Sequence, residues 1–241
     1  MTAAESRPAR HETPTIGVLC LETRFTKIPG HIRNPRTFDF PVLYQVVQGA
    51  TPERVVSQSD PRLIEPFCQA ARELEARGAA AITSGCGFLV LFQQQLAAAV
   101  SIPVFASSLI QLPMVHRMLL PEQRVGLLVA KKEALTARHL AAIGAQDVPI
   151  SVVGLADQPE FREVMLEGRR VELNEQRLEA EVLEVIDGLA RDTPELGALI
   201  LECTDVVPFA QPIQQRLGVP VFDIVTLTNS VHASLSRRRY H

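Results

Sequence analysis

The chain of 241 residues has no Trp, two Tyr and ten Phe. A core so short of aromatics must be filled by Ala, Val, Leu and Ile, the side chains of layered α/β folds. No run of about 18 apolar residues occurs, which excludes a membrane-spanning helix. No excess of positive charge is present either: 24 Lys+Arg against 27 Asp+Glu leave a net charge of −3. A nucleic-acid or anionic-membrane binder needs a basic surface, so neither partner is expected. Four cysteines occur, Cys20, Cys68, Cys86 and Cys203, with no CxxC and no HxxxH pair. That spacing fits no zinc pattern, and no metal is expected. Met1 to His11 lack the apolar core of an export signal. A disordered tail over 1–13 and a cytoplasmic location, without disulfides, are therefore expected.

What is present is a core-forming composition, 46% hydrophobic and 21% charged, far from that of a disordered chain. Strand-type runs occur at Ile16–Leu21, Val42–Val47, Ala79–Thr83, Pro103–Phe105, Val125–Ala130, Pro149–Val153, Ala198–Leu201 and Val219–Phe222. Helical spacing lies between them. Over Pro61–Arg77 it places Leu63, Phe67, Ala70, Ala71 and Leu74 on one face. Phe88–Val100, Lys132–Ile143 and Val171–Arg191 read similarly, the last with a stripe of Leu173, Leu178, Val182, Val185 and Leu189. Strands alternating with helices predict parallel sheets covered on both faces, with ligands beyond the carboxyl ends of the strands.

An internal repeat sharpens this reading. The segments Gly78 to Cys86 and Leu196 to Cys203 are both small and aliphatic, and both end in Cys. A helix rich in Gln and Ala follows each. Both then reach Pro-Val-Phe, at Pro103 and Pro220, 17 residues after the respective cysteine. Upstream, Ile16-Gly17-Val18-Leu19 matches Val125-Gly126-Leu127-Leu128. The chain reads as two copies of one βα set. The expected fold is α/β, with two pseudo-symmetric three-layer lobes on parallel four-stranded sheets and the active site in the cleft between them. The lobes are expected at 14–107 together with 224–241, and at 108–223.

If the lobes pair about a pseudo-twofold axis, Cys86 and Cys203 converge on one cleft. Two thiols flanking a carbon suit proton exchange at that carbon. One thiolate removes the proton next to a carboxylate, and the other thiol reprotonates the opposite face. Each Cys precedes a helix, whose positive end favours a thiolate. Acidic Glu202 and Asp205 flank Cys203, whereas Cys86 has glycines, so Cys86 is the expected resting thiolate and Cys203 the resting acid. Backbone N–H groups in Ser84–Phe88 and Thr204–Val206 can bind a carboxylate or its enediolate. Gly85 and Gly87 let the main chain come close. Thr204 and Asp205 fit both N-capping and substrate contact. Cys20 and Cys68 read as buried hydrophobes.

At these residues the chain resembles the aspartate/glutamate racemase superfamily, from Ile16 to Leu227. The resemblance implies two α/β lobes, one catalytic Cys in each, no cofactor, and a homodimer or higher homo-oligomer. Cys86 matches the first catalytic position, and Cys203 in Glu202-Cys203-Thr204 the second. Amino-acid racemases follow the first Cys with Asn-Thr, where Gly87-Phe88 stand here, and precede the second with Gly, where Glu202 stands. These departures point away from aspartate and glutamate as substrates. The two cysteines also lean away from arylmalonate decarboxylases, which have one. Pro29 to Val42, Ser84 to Phe88, Ser107 to Pro113 and Phe222 to Leu227 are similar to the branch that includes the dimethylsulfoniopropionate lyases. The expected activity is a two-cysteine racemase or isomerase of a small anionic carboxylate. A lyase of a β-substituted carboxylate and a non-catalytic bilobal binding protein are the alternatives.

The loop Glu22 to Gly30 is expected to border the cleft, and the Arg33/Arg36 loop to close over it. An anionic substrate calls for Arg24, Lys27, Arg33 or Lys131; Lys131 ends the strand equivalent to Ile16–Leu21. The expected substrate-binding set is Arg24, Ser84, Gly85, Gly87, Phe88, Lys131, Thr204 and Asp205. Asn34-Pro35-Arg36 and Ser107-Ser108 can supply hydrogen bonds to the pocket, with turn formation and helix capping as the alternatives; His116, His139 and His232 read as structural, and Arg237-Arg238-Arg239 as a charged helix end or tail.

Overall fold

The structure is a computed structural model that describes residues 13–237. The expected tail, Thr13 apart, and the end of the basic Arg237-Arg238-Arg239 run fall outside those residues. Strands β1 (Thr15–Cys20), β2 (Val42–Val46), β3 (Ala79–Ser84) and β4 (Val104–Phe105) form one sheet, in the order β2-β1-β3-β4. Strands β5 (Arg124–Val129), β6 (Ile150–Gly154), β7 (Leu196–Leu201) and β8 (Val221–Phe222) form the other, in the order β6-β5-β7-β8. Every pairing is parallel. The helices are α1 (Ile64–Ala76), α2 (Gln93–Ala99), α3 (Leu112–His116), α4 (Ala137–Ala141), the single turn α5 (Pro159–Phe161), α6 (Glu175–Asp192), α7 (Ala210–Leu217) and α8 (Ile224–Leu235). None is long and apolar enough to cross a membrane among the described residues.

The repeat extends to register. Ile82 pairs with Val104, and Leu199 with Val221, so the two Pro-Val-Phe strands dock at equivalent positions. The register shifts once in each lobe, after Thr15 and after Arg124. Gly17 and Gly126 occupy matching places in β1 and β5. A Cβ on Gly17 would meet Leu74 of α1 at 3.1 Å, and one on Gly126 would meet Leu189 of α6 at 3.1 Å. Helix α1 or α6 packs tightly there because the strand has no side chain. Buried apolar residues of both sheets form one connected core.

Local chemistry explains the element ends. Asp60 accepts from Arg62 N and caps the 3-10 turn Pro61–Leu63 that leads into α1. In this segment the expected face, Leu63, Phe67, Ala70, Ala71 and Leu74, is buried. Helix α6 starts four residues later than expected, because the Asn174 side chain caps it through Arg177 N. Leu173 therefore precedes the helix, and Ile186 rather than Val185 completes the buried stripe. The expected helix over Phe88–Val100 begins as a 3-10 turn, Gly87–Phe92, and becomes α2 only at Gln93. Lys132–Ile143 breaks at the extended Leu135, and a Thr136–His139 capping box restarts it as α4. Asp223 accepts from Val225 N and Thr226 N to start α8. This last helix returns to the first lobe, where His232 lies 3.1 Å from Pro14 O and stacks on Phe40.

Candidate active site

Strands β3 and β7 end at Ser84 and Leu201, and the two cysteines follow two residues later. Gly85 N donates to Leu19 O at 2.8 Å and Glu202 N to Leu128 O at 2.9 Å, so residues 85 and 202 are structurally equivalent. Cys86 and Cys203 then stand in extended conformation at the heads of the 3-10 turns Gly87–Phe92 and Thr204–Phe209. Cys86 is 8% exposed and Cys203 4%. Both line one cavity between the lobes, of about 30 Å³.

Hydrogen bonds across the lobes fix the floor of this cavity. Thr204 Oγ1 donates to Gly85 O at 2.8 Å. Asp205 Oδ1 lies 2.9 Å from His31 Nε2. The N-capping role open to Thr204 and Asp205 is thus not taken up: both side chains reach the first lobe instead. Ser107 does cap, through Leu109 N. Asn34 Oδ1 accepts from Arg36 N in a turn, the alternative to a pocket contact.

Burial dominates the electrostatics. Desolvation pushes both thiols well above the ordinary cysteine range. Glu202 next, then Asp205, push Cys86 further; for Cys203 Asp205 comes before Glu202. The N–H groups of Phe88 and Leu89 beside Cys86, and of Asp205 beside Cys203, pull the other way without prevailing. This runs against the resting thiolate expected at Cys86: burial favours the neutral thiol at both positions. A six-residue 3-10 turn offers too little dipole to offset removal from water. Desolvation also raises the Glu202 carboxyl to about 8 and lowers the Lys27 ammonium to about 8.

Gly85, Gly87, Phe88, Thr204 and Asp205 line the cavity with the cysteines, as do Lys27 and Arg33. Ser84, Arg24 and Lys131 do not. Ser84 is fully buried behind the loop, with its hydroxyl 2.6 Å from Ala106 O and 2.9 Å from Cys86 O, so it positions Cys86 instead of meeting a ligand. Arg24 borders a neighbouring hollow of about 240 Å³. Lys131 lines a separate depression, with Nζ 3.4 Å from Ser57 Oγ. Strand equivalence put Lys131 at the rim, but its side chain runs outward.

The sequence reading missed His31 and two π-helical turns, Glu53–Ser57 and Arg162–Leu166, one in each lobe. Val56 of one, with Met165 and Leu166 of the other, walls the cavity, and Met165 and Leu166 also border the outer hollow. Each turn follows the edge strand of its lobe, β2 or β6, so extending the repeat comparison past those strands was the available signal. Such turns recur at functional sites. Among the described residues no group of three or more His, Cys, Asp and Glu is placed to hold a metal ion.

No protein-family model matches the chain. Its relatives include dimethylsulfoniopropionate lyases 6 and 7 of Emiliania huxleyi (strain CCMP1516). They are 32% identical over 92% of this chain and 31% identical over 93% of it. The chain spans 60% of the first relative's length and 68% of the second's. Among solved structures, unliganded arylmalonate decarboxylase aligns over 95% of this chain and 97% of its own, with a TM-score of 0.56 and 17% identity. The Picrophilus torridus aspartate racemase aligns over 95% and 96%, with a TM-score of 0.58 and 11% identity. Those two likenesses establish the fold: two parallel four-stranded sheets with a cleft between them. The second lyase relative, covered over more than two thirds of its length, shows the family: the chain belongs to that of the dimethylsulfoniopropionate lyases, on a fold shared with the racemase and the decarboxylase.

Proposed function

We propose that the chain is an enzyme that acts on a small carboxylate without a cofactor, by removing the proton next to the carboxylate with a cysteine thiolate. The observation that carries this reading is that Cys86 and Cys203, from equivalent strand ends, line one cavity. Lys27 and Arg33 on its wall, with the backbone N–H groups of the two 3-10 turns, supply the charge and donors that an enediolate requires. A thiol that has lost its proton to water takes the α-proton. The electron pair of the C–H bond moves into the carboxylate.

The next step in this proposal is elimination. The pair returns to form a Cα–Cβ double bond, the bond from Cβ to the leaving group breaks, and that group departs with its electrons. From dimethylsulfoniopropionate the products are acrylate and dimethyl sulfide. The lyase relatives, at 31–32% identity against 11–17% for the solved racemase and decarboxylase, support this outcome. So does the electrostatics: burial, with Asp205 beside it, opposes a thiolate in this cavity, and a positively charged sulfonium offsets that opposition.

Racemisation is the second reading, favoured by the second thiol. Elimination uses one base, whereas inversion uses a base and an acid on opposite faces. Incubating the protein with dimethylsulfoniopropionate, and separately with amino acids, hydantoins and maleate in deuterated buffer, tests both. Acrylate and dimethyl sulfide support the lyase. Deuterium in the α-position of a recovered amino acid or hydantoin, without acrylate, supports the racemase. Saturable binding with neither outcome returns the chain to the class of bilobal binding proteins.

A further inference from the structure

Glu202 stands on the cavity wall, 1% exposed, and the proton transfers above do not use it. Its equivalent in the first lobe is Gly85, so this carboxyl breaks the symmetry of the two halves. It reaches over Gly87: a Cβ on residue 87 would clash with the Glu202 carboxyl and with its backbone O. Glycine at 87 is thus what admits the side chain beside Cys86. Oε2 lies 3.4 Å from Ala130 N, a long hydrogen bond. Oε1 is buried and has no hydrogen-bond partner among the described residues. Unsatisfied buried polar atoms are rare, and a ligand is one of the few things that completes them.

The groups that share the cavity with this carboxyl are Cys86 and Cys203, Asp205 on the adjoining turn, and Lys27, His31 and Arg33 from the first lobe. The charge that acts on it is that of Asp205, another acid, and no cation neutralises it among the described residues. Burial with no counter-ion keeps the proton on the carboxyl at neutral pH, with its pKa at about 8. The result is an O–H at the cavity wall with no acceptor among the described residues.

We propose that the Glu202 side chain donates a hydrogen bond to the substrate's carboxylate and to the enediolate formed from it. This rests on the reading that the cavity takes a carboxylate. The proton stays on Glu202 throughout. The α-proton goes to the thiolate, the C–H electron pair goes to the carboxylate, and the hydrogen bond strengthens as charge gathers on the oxygens. A carboxylic acid held neutral for this purpose is an established device in enolate chemistry.

Propionate, a small carboxylate with no leaving group, is the probe, and calorimetric binding to the full chain is the measurement. Lys27 also loses its charge near pH 8, so the comparison is made in a Lys27→Arg background. There, propionate binding is expected to weaken about tenfold between pH 7 and pH 9, because only about a tenth of a group with pKa 8 is still protonated at pH 9. Adding Glu202→Gln, which keeps a neutral donor, removes that pH dependence and leaves binding at pH 7 within a few-fold. Adding Glu202→Ala weakens binding at pH 7 by on the order of tenfold or more. The wild-type infrared spectrum shows the carbonyl stretch of a neutral carboxylic acid at pH 7, and E202Q removes it. No such band, equal affinity at both pH values, or a Gln variant that binds no better than the Ala variant overturns the proposal. The last result indicates an ionised Glu202 that pairs with a cation. Failure of the catalytic reading looks different: turnover survives both Cys86→Ser and Cys203→Ser, whatever propionate does.

Discussion

His31 of the first lobe donates from Nε2 to Asp205 Oδ1 of the second, at 2.9 Å. The other ring nitrogen sets the tautomer: Nδ1 accepts from Arg33 N at 3.0 Å, so the ring's proton sits on Nε2. Burial disfavours a second proton on this ring, against the pull of Asp205. The contact is therefore a hydrogen bond from a neutral ring to an anion. It ties the loop carrying Lys27 and Arg33 to the turn that begins at Cys203.

Asp205→Asn separates charge from hydrogen bonding at this contact. The amide oxygen still accepts from His31, but the charge that adds to burial in raising both thiols is gone. Both thiols then ionise at lower pH, and alkylation by iodoacetamide at pH 8 speeds up at Cys86 and Cys203 relative to the wild type. His31→Ala instead opens a cavity and leaves Asp205 without its donor, which lowers the urea-unfolding free energy by about 1–3 kcal/mol. Unchanged alkylation rates in Asp205→Asn would refute the electrostatic account.

Replacing the cysteine that serves as base by Ser leaves a folded protein with turnover reduced by several orders of magnitude, since a hydroxyl is a far less available base than a thiol; elimination loses its turnover in one of Cys86→Ser and Cys203→Ser, and inversion in both. Cys20→Ser and Cys68→Ser act on stability instead. Their sulfurs lie in the first lobe, with Cys20 Sγ 3.4 Å from Val18 O and Cys68 Sγ 3.7 Å from Gln95 O. Burying a hydroxyl in their place costs about 1–3 kcal/mol. Activity per folded molecule, read beside thermal melts of all four variants, separates the two pairs.

The repeat was legible because it is local. Equal spacing from each Cys to its Pro-Val-Phe strand corresponds to equal register, Ile82 with Val104 and Leu199 with Val221. The residues beside each Cys were legible for the same reason, since a strand end fixes its own loop. Side-chain direction was not: Lys131 follows the equivalent strand, yet points to Ser57 and away from the cavity. His31 and the π-helical turns reach the site from distant loops, through packing that periodicity does not encode. Thiol ionisation failed as an expectation because sequence shows the turn that follows a cysteine but not how deeply the sulfur is buried.

Gly17→Ala and Gly126→Ala test the packing common to both lobes. The added methyl on residue 126 would stand 2.9 Å from Leu196 Cδ1 and 3.1 Å from Leu189 Cδ2. On residue 17 it would stand 3.1 Å from Leu74 Cδ1 and 3.3 Å from Ala79 Cβ. Each substitution pushes a helix off its sheet and lowers stability by about 1–3 kcal/mol, more at Gly126, where the contacts are closer. Urea denaturation of the two single variants measures this. A stabilised Gly126→Ala would mean that α6 yields without strain.

Stability toward acid depends on the histidine behind the cavity wall. His139 Nδ1 lies 3.1 Å from Thr136 N and 3.0 Å from Thr136 Oγ1, and its ring meets the edge of Phe88, a cavity residue, at 5.2 Å. Burial lowers its pKa to about 4, against about 6.5 in an unfolded chain. Between those values the unfolded state binds a proton that the folded state does not. This contribution to stability is therefore complete above about pH 6.5 and declines as the pH falls toward 4. His31 adds to it in the same direction. His139→Gln removes one of the two contributions, so its urea midpoint falls less steeply than that of the wild type between pH 6.5 and 4.5. Parallel curves would mean that His139 protonates in the folded state as readily as in the unfolded one, and that the wall at Phe88 tolerates the charge.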